Sequence, residues 1–320
     1  MTLTSPLRFV PYLRPMVWGG RGLADRLGKS LPDATTYGEA WEVSDHALHR
    51  SVVADGSLLG TSLRSLMELR RADLLGSTAA HYPVFPWLIK FLDCRDWLSV
   101  QVHPDTEVVK QLRPGEGSKT EAWFILDVAP GGKVYAGLKP GVDAAQMRDA
   151  VRRGTTHELL HAFEPKPGQC VFLPAGTVHA VGGGVLMAEI QETSDVTFRL
   201  FDWNRVDAHG KSRDLHIEES FASIHWDKGP VTPIAVTNEP RHSLVRCPFF
   251  HLDARVVAAP ISLGGGVMHT LIIVAGEGTW ADGREVATGH SWVLPASMPP
   301  TTLTPTSRMT ILDATLPGDE

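Results

Sequence analysis

Gly168-Gln169-Cys170-Val171-Phe172-Leu173-Pro174-Ala175-Gly176-Thr177-Val178-His179 is the stretch whose reading decides the fold. An apolar run long enough for one strand reaches Pro174 and Gly176, the residue types that make a turn, and the chain re-enters with a histidine. Strand, turn and histidine in that order predict a β protein whose turn delivers a metal-type donor.

Three more donors lie upstream at strand spacing. In Ser99-Val100-Gln101-Val102-His103-Pro104 the side chains alternate faces, so Gln101 and His103 project the same way, about 7 Å apart along the backbone. Lys119 and Glu121 repeat that relation ahead of the apolar run from Ala122 to Val128. Any one of these alone reads as a surface or hydrogen-bonded core residue. Four together, polar where the pattern calls for apolar, predict a metal site of Gln101, His103, Glu121 and His179. Two imidazoles, a carboxylate and a carboxamide suit Zn²⁺, and Mn²⁺, Fe²⁺ or Co²⁺ are chemically acceptable.

The chain has 320 residues, 43% of them hydrophobic, enough for one large core or two ordinary domains. No run approaches the roughly 20 apolar residues of a membrane helix, and residues 1–10 lack a signal-peptide apolar core, so a cytoplasmic location is expected. A net charge of −6 argues against nucleic acid or an acidic membrane as partner, and an anionic small substrate would need a local basic pocket. Cys94, Cys170 and Cys247 are widely spaced, form no CxxC pair and read as reduced buried thiols.

Short Val/Thr/Leu/Phe runs punctuated by Gly and Pro predict many strands. Helical periodicity is confined to residues 58–75, to 142–163 with an interruption at Gly154-Thr155-Thr156, and to 214–224. From about Phe249 a second β unit repeats the first in weakened form: Gly289-His290-Ser291-Trp292-Val293-Leu294-Pro295-Ala296 echoes Gly168 to Ala175, but no histidine occupies its turn. That unit is expected to be structural. The predicted architecture is mainly β, with a metal-binding barrel over 1–240 carrying helical insertions and a smaller ligand-free barrel over 241–320.

Gly168-x5-Pro174-x-Gly176-x2-His179 resembles the second motif of the cupin β-barrels, and the whole chain resembles the short bacterial type I mannose-6-phosphate isomerases. The resemblance is carried by Trp18-Gly19-Gly20, Tyr37-Gly38-Glu39-Ala40-Trp41-Glu42, Phe85-Pro86-Trp87-Leu88-Ile89-Lys90, Leu98 to Asp105, Lys119-Thr120-Glu121 and Ser194-Asp195-Val196-Thr197-Phe198-Arg199. It implies two jelly-roll barrels, a zinc ion on Gln101, His103, Glu121 and His179, and interconversion of mannose-6-phosphate with fructose-6-phosphate. By position it also implies an active-site Arg199, proton-transfer or sugar-contact roles for Lys119 and Glu189, and pocket-lining roles for Trp18, Glu39, Lys90, Ser99 and Asp195. Relative to longer family members, Val181 replaces an aromatic hydroxyl and Arg205 replaces a lysine.

Moving a proton between C1 and C2 of a sugar through an ene-diol needs a base over those carbons and positive charge for the oxyanion. Arg199, two residues from Thr197 and four from Asp195, can share a strand face with both, and Arg199 with Lys90 or Lys119 would supply that charge. Lys119 or Glu189 would carry the proton. The competing readings are an isomerase of another sugar such as free mannose, a cupin oxygenase with a redox metal, and a non-enzymatic sugar-binding barrel. A phosphosugar is the expected partner, with the chain acting as a monomer or weak homodimer.

Overall fold

The computed structural model describes residues 3–206 and 209–318. Four larger sheets and a short hairpin make the architecture, all of it antiparallel. A seven-stranded sheet runs in the order Ile234–Ala235, Gln169–Leu173, Glu121–Val128, Val185–Glu192, Trp87–Cys94, Tyr37–Val43 and Tyr12–Gly20. A five-stranded sheet of Leu160–Phe163, Lys133–Leu138, His179–Gly182, Val100–Val102 and Phe198–Phe201 accompanies it in the first part of the chain. Residues beyond 240 form most of a six-stranded sheet and all of a four-stranded one. The prediction of a mainly β, jelly-roll type of fold holds, and the strands pair as separate open sheets.

Alternation explains the layering. In the Glu121–Val128 strand, Ala122 and Phe124 join a core shared with Leu252, Ala254, Ile272 and Leu312 of the six-stranded sheet. Trp123 and Ile125 face the other way, into a second core with Leu92, Val171, Val181 and Met187. One face of the central sheet therefore binds the C-terminal unit, and the opposite face can hold polar groups. Burying each such large apolar side chain is worth about 1.5–3 kcal/mol, which fixes the register and with it the face that every polar residue occupies.

The N-terminal strands serve two sheets: Leu7 and Arg8 pair with Val293 and Trp292 at the edge of the six-stranded sheet, while Tyr12–Gly20 edges the seven-stranded one. The six-stranded sheet includes a strand at Arg241–Arg246, ahead of the echo segment.

Three helical expectations are corrected. The first helix spans Leu63–Leu75, because Gly56–Leu58 is a separate turn and Ser62 caps the start by accepting the Ser65 N–H. The 142–163 region is helical only over Ala144–Arg153, ending at Gly154 with φ 70°, and Leu160–Phe163 is a strand paired with Lys133–Leu138. Its apolar residues suit either period, and the partner strand decided. The third helix is Ile217–Ser223. A helix at Thr106–Leu112 escaped the periodicity reading; it starts directly after His103-Pro104, where Asp105 accepts the N–H groups of Glu107 (3.0 Å) and Val108 (2.9 Å). Cys94 and Cys170 are buried free thiols, whereas Cys247 is only partly covered.

Candidate metal centre and adjoining cavity

Two rows of side chains on different sheets build the site. On the five-stranded sheet His179 and Arg199 both pair with Gln101, one on each side. On the seven-stranded sheet Glu121 pairs with Gln191, and Glu189 lies between Trp123 and Lys90. His103 follows the Val100–Val102 strand, and its carbonyl accepts the Gly176 N–H at 2.8 Å, so the turn that carries His179 is tied to it. Gly176 is held at φ +85°, and a Cβ there would lie 2.4 Å from the His225 ring.

The ligating atoms of His103, Glu121 and His179 lie within 4.8 Å of one another, and all three residues are buried. His103 Nδ1 meets the Val196 carbonyl and His179 Nδ1 the Thr177 carbonyl, each at 2.9 Å. These contacts orient both Nε2 atoms toward Glu121, 3.4 Å from its two oxygens. Gln101 Nε2 is 3.2 Å from His179 Nε2, placing the carboxamide beside the group. Burial pushes the His179 imidazole down to about 3 and lowers His103 as well, so both rings are in the neutral, ligating form. For Glu121 burial acts to raise the carboxyl, but the Lys119 amine beside it outweighs this and holds it well below the usual carboxylate range. Glu121 Oε1 is buried with no hydrogen-bond partner. An unsatisfied anionic oxygen facing an imidazole nitrogen fits a cation, and this group can hold a metal ion.

A cavity of about 280 Å³ opens beside it, and the sequence-selected Trp18, Glu39, Lys90, Ser99, Gln101, Lys119, Glu189, Asp195 and Arg199 all line it. Lys119 Nζ is 2.5 Å from Glu121 Oε2 and 2.9 Å from His103 Nε2. Glu189 accepts the Trp123 indole N–H at 2.9 Å and faces Lys90 at 3.3 Å, rather than pairing with Arg199. Burial raises its carboxyl above the ordinary value against the pull of Lys90. Burial acts to lower Lys90, yet Glu189, Glu39 and Asp195 overcome this and raise it, leaving a lysine locked as a cation among carboxylates. Its charge is already matched. Arg14, which sequence reasoning missed, also lines this cavity, bonding Glu39 at 3.1 Å and lying 3.6 Å from Asp195 over the Trp41 ring. No local pattern marked it, because its role arises only from the 12–20 and 37–43 strands lying side by side.

A second cavity of about 650 Å³ shares Arg199 and Arg213 with the first and adds Arg205, Lys211 and His216. Asp202 accepts from Arg205 at 2.6 Å and from Arg213 Nε at 2.8 Å. The Nε groups of Arg199 and Arg205 are buried without hydrogen-bond partners. Arg213 and Lys211 were also missed, since they sit in a polar loop without periodicity.

The chain as a whole is similar to known proteins. Residues 7–120 match the family described as phosphomannose isomerase type I, catalytic domain. The chain is 35% identical over 288 residues to mannose-6-phosphate isomerase ManA of Bacillus subtilis, covering 88% of this chain and 90% of that one. It belongs to the mannose-6-phosphate isomerase family. A Streptococcus mutans mannose-6-phosphate isomerase is 32% identical, with 88% and 89% covered. Among solved structures, the Bacillus subtilis mannose 6-phosphate isomerase superposes with a TM-score of 0.88 at 27% identity, covering 97% of this chain and 99% of that chain. A putative mannosephosphate isomerase from Archaeoglobus fulgidus shares the fold at TM-score 0.80 and 22% identity, with 98% and 99% covered. The fold and family expected from the sequence therefore stand. No described helix is long and apolar enough to cross a membrane.

Proposed function

We propose that this chain interconverts mannose-6-phosphate and fructose-6-phosphate, with the sugar carbons in the smaller cavity and the phosphate in the basic one. The observation that carries this is the junction of the two cavities at Arg199 and Arg213, one walled by titratable groups beside a metal-competent cluster, the other by four cationic side chains against the two carboxylates of Asp202 and Asp214. A hexose phosphate has that polarity: a neutral polyol at one end and a dianion at the other. Lys90, its charge matched by three carboxylates, serves the polyol end, and the arginines serve the anion.

Gln101, His103, Glu121 and His179 would hold a divalent cation, with Zn²⁺ the best match to this donor set. Bound there, the ion supplies positive charge and Lewis acidity next to the sugar's oxygens. In the forward direction a proton leaves C2 and returns at C1, while a hydroxyl proton passes from O2 to O1. Lys119 and Glu189 both line the cavity and can accept and return the carbon-bound proton. Arg199 would face the oxyanion of the ene-diolate. Trp18, Glu39, Ser99 and Asp195 orient the hydroxyls. The metal-binding unit is read as residues 1–240 and the structural unit as 241–320, the whole acting in the cytoplasm as a monomer or weak homodimer.

Solvent-hydrogen exchange at C1 and C2 of the substrate tests the assignment. Wild type should exchange and release fructose-6-phosphate, and Lys119→Met and Glu189→Gln should each slow exchange, the true base by about 100-fold or more. Exchange at the wild-type rate in either variant removes that residue as the base. Oxygen uptake without ketose formation would point instead to a cupin oxygenase.

A further inference from the structure

Lys119 enters the cavity from irregular chain, since the strand begins only at Glu121 and residues 116–120 adopt no regular structure. A flexible four-carbon side chain on such a segment needs its backbone held if its amine is to meet a reacting atom. Behind it stands Glu192, the last residue of the Val185–Glu192 strand and one that neither the metal group nor the cavity uses. Ser118 Oγ donates to Glu192 Oε1 and the Thr120 N–H donates to Oε2, each at 2.8 Å. The Glu192 N–H in turn donates to the Thr120 carbonyl at 3.2 Å. One carboxylate thus grips both neighbours of Lys119. Its side-chain partners are a hydroxyl and a backbone N–H, not a cation. Thr120 Oγ1 extends the clamp by accepting the Ala175 N–H at 3.2 Å, in the turn before His179.

We propose that Glu192 is a positioning residue for the isomerisation, fixing the 118–120 backbone so that the Lys119 amine is aimed at the reacting carbons. This rests on the reading that Lys119 acts on the substrate. Glu192 itself touches no substrate.

Steady-state kinetics on mannose-6-phosphate with the full-length, metal-loaded protein test it. Glu192→Ala should lower kcat about tenfold, the kinetic equivalent of one lost hydrogen bond to a charged group, with KM changed less than about twofold. Glu192→Gln keeps one acceptor oxygen and should recover most of the rate. Ser118→Ala, which leaves the carboxylate in place should Glu192→Ala fold poorly, should lower kcat about two- to threefold. The double variant Lys119→Met with Glu192→Ala should be no slower than Lys119→Met alone, because the two act as one unit. Wild-type kcat in folded Glu192→Ala overturns the proposal, as does a loss that multiplies undiminished onto Lys119→Met. If wild-type protein makes no fructose-6-phosphate, the isomerase reading itself fails, and that outcome is distinct from an active wild type with an indifferent Glu192.

Discussion

Glu121 is the residue on which the metal reading turns. Its carboxylate is fully enclosed, is held anionic by Lys119, and keeps one oxygen without a hydrogen-bond partner. Lys119 pairs with the other oxygen, and leaving this one buried and unsatisfied costs about 1–3 kcal/mol, which a bound cation would remove. Glu121→Gln keeps the shape and removes the charge. Bound divalent metal, measured by elemental analysis after dialysis, should fall well below one per chain, and the affinity should drop by about 10-fold or more. Full retention of metal in this variant would remove Glu121 from the ligand set.

At the scale of elements, the turn at 174–179 matters more than the strands flanking it. Its positive-φ glycine hands its N–H to the His103 carbonyl and its carbonyl to the His225 N–H, so a single residue couples three segments. Gly176→Ala forces a side chain into an unfavourable backbone region and against the His225 ring. The expected cost is about 2–4 kcal/mol, read as a lowered thermal midpoint, together with lost activity because His179 shifts. An unchanged midpoint would mean that the turn relaxes freely.

Across the whole molecule, the cavity where Arg8, Lys29 and His290 meet carries its own titration. His290, beside Arg8 and Lys29 in a cavity of about 390 Å³, has its imidazole pushed down to about 4, first by burial and then by those two cations. The unfolded chain takes up a proton below the ordinary value of 6.5 that the folded chain refuses until about pH 4. Its contribution to stability is therefore complete above about 6.5 and lost as pH falls through that window. His290→Gln should flatten the fall in unfolding free energy between pH 6.5 and 4 in denaturant titrations. Identical slopes in the two proteins would show that the ring is not shielded in solution.

Much of the candidate site was legible in the sequence because β structure has a two-residue period. Gln101 with His103 and Lys119 with Glu121 stand at the two-residue spacing of one strand face. Although His103 and Lys119 lie just outside their strands, both pairs meet at the site, and Pro174 and Gly176 announce the turn before His179. The family resemblance extended that reading to Glu39, Lys90 and Arg199. Helix limits were less legible: Leu160–Phe163 carries apolar residues compatible with either period, and only its ladder with Lys133–Leu138 made it a strand. Arg14, Arg213 and Glu192 stayed hidden for a related reason. Each acts across a contact between segments far apart in the chain, such as Glu192 with Ser118 and Thr120 or Arg14 with Asp195. Spacing along a chain determines which side chains point together, and packing alone decides which of those faces meet.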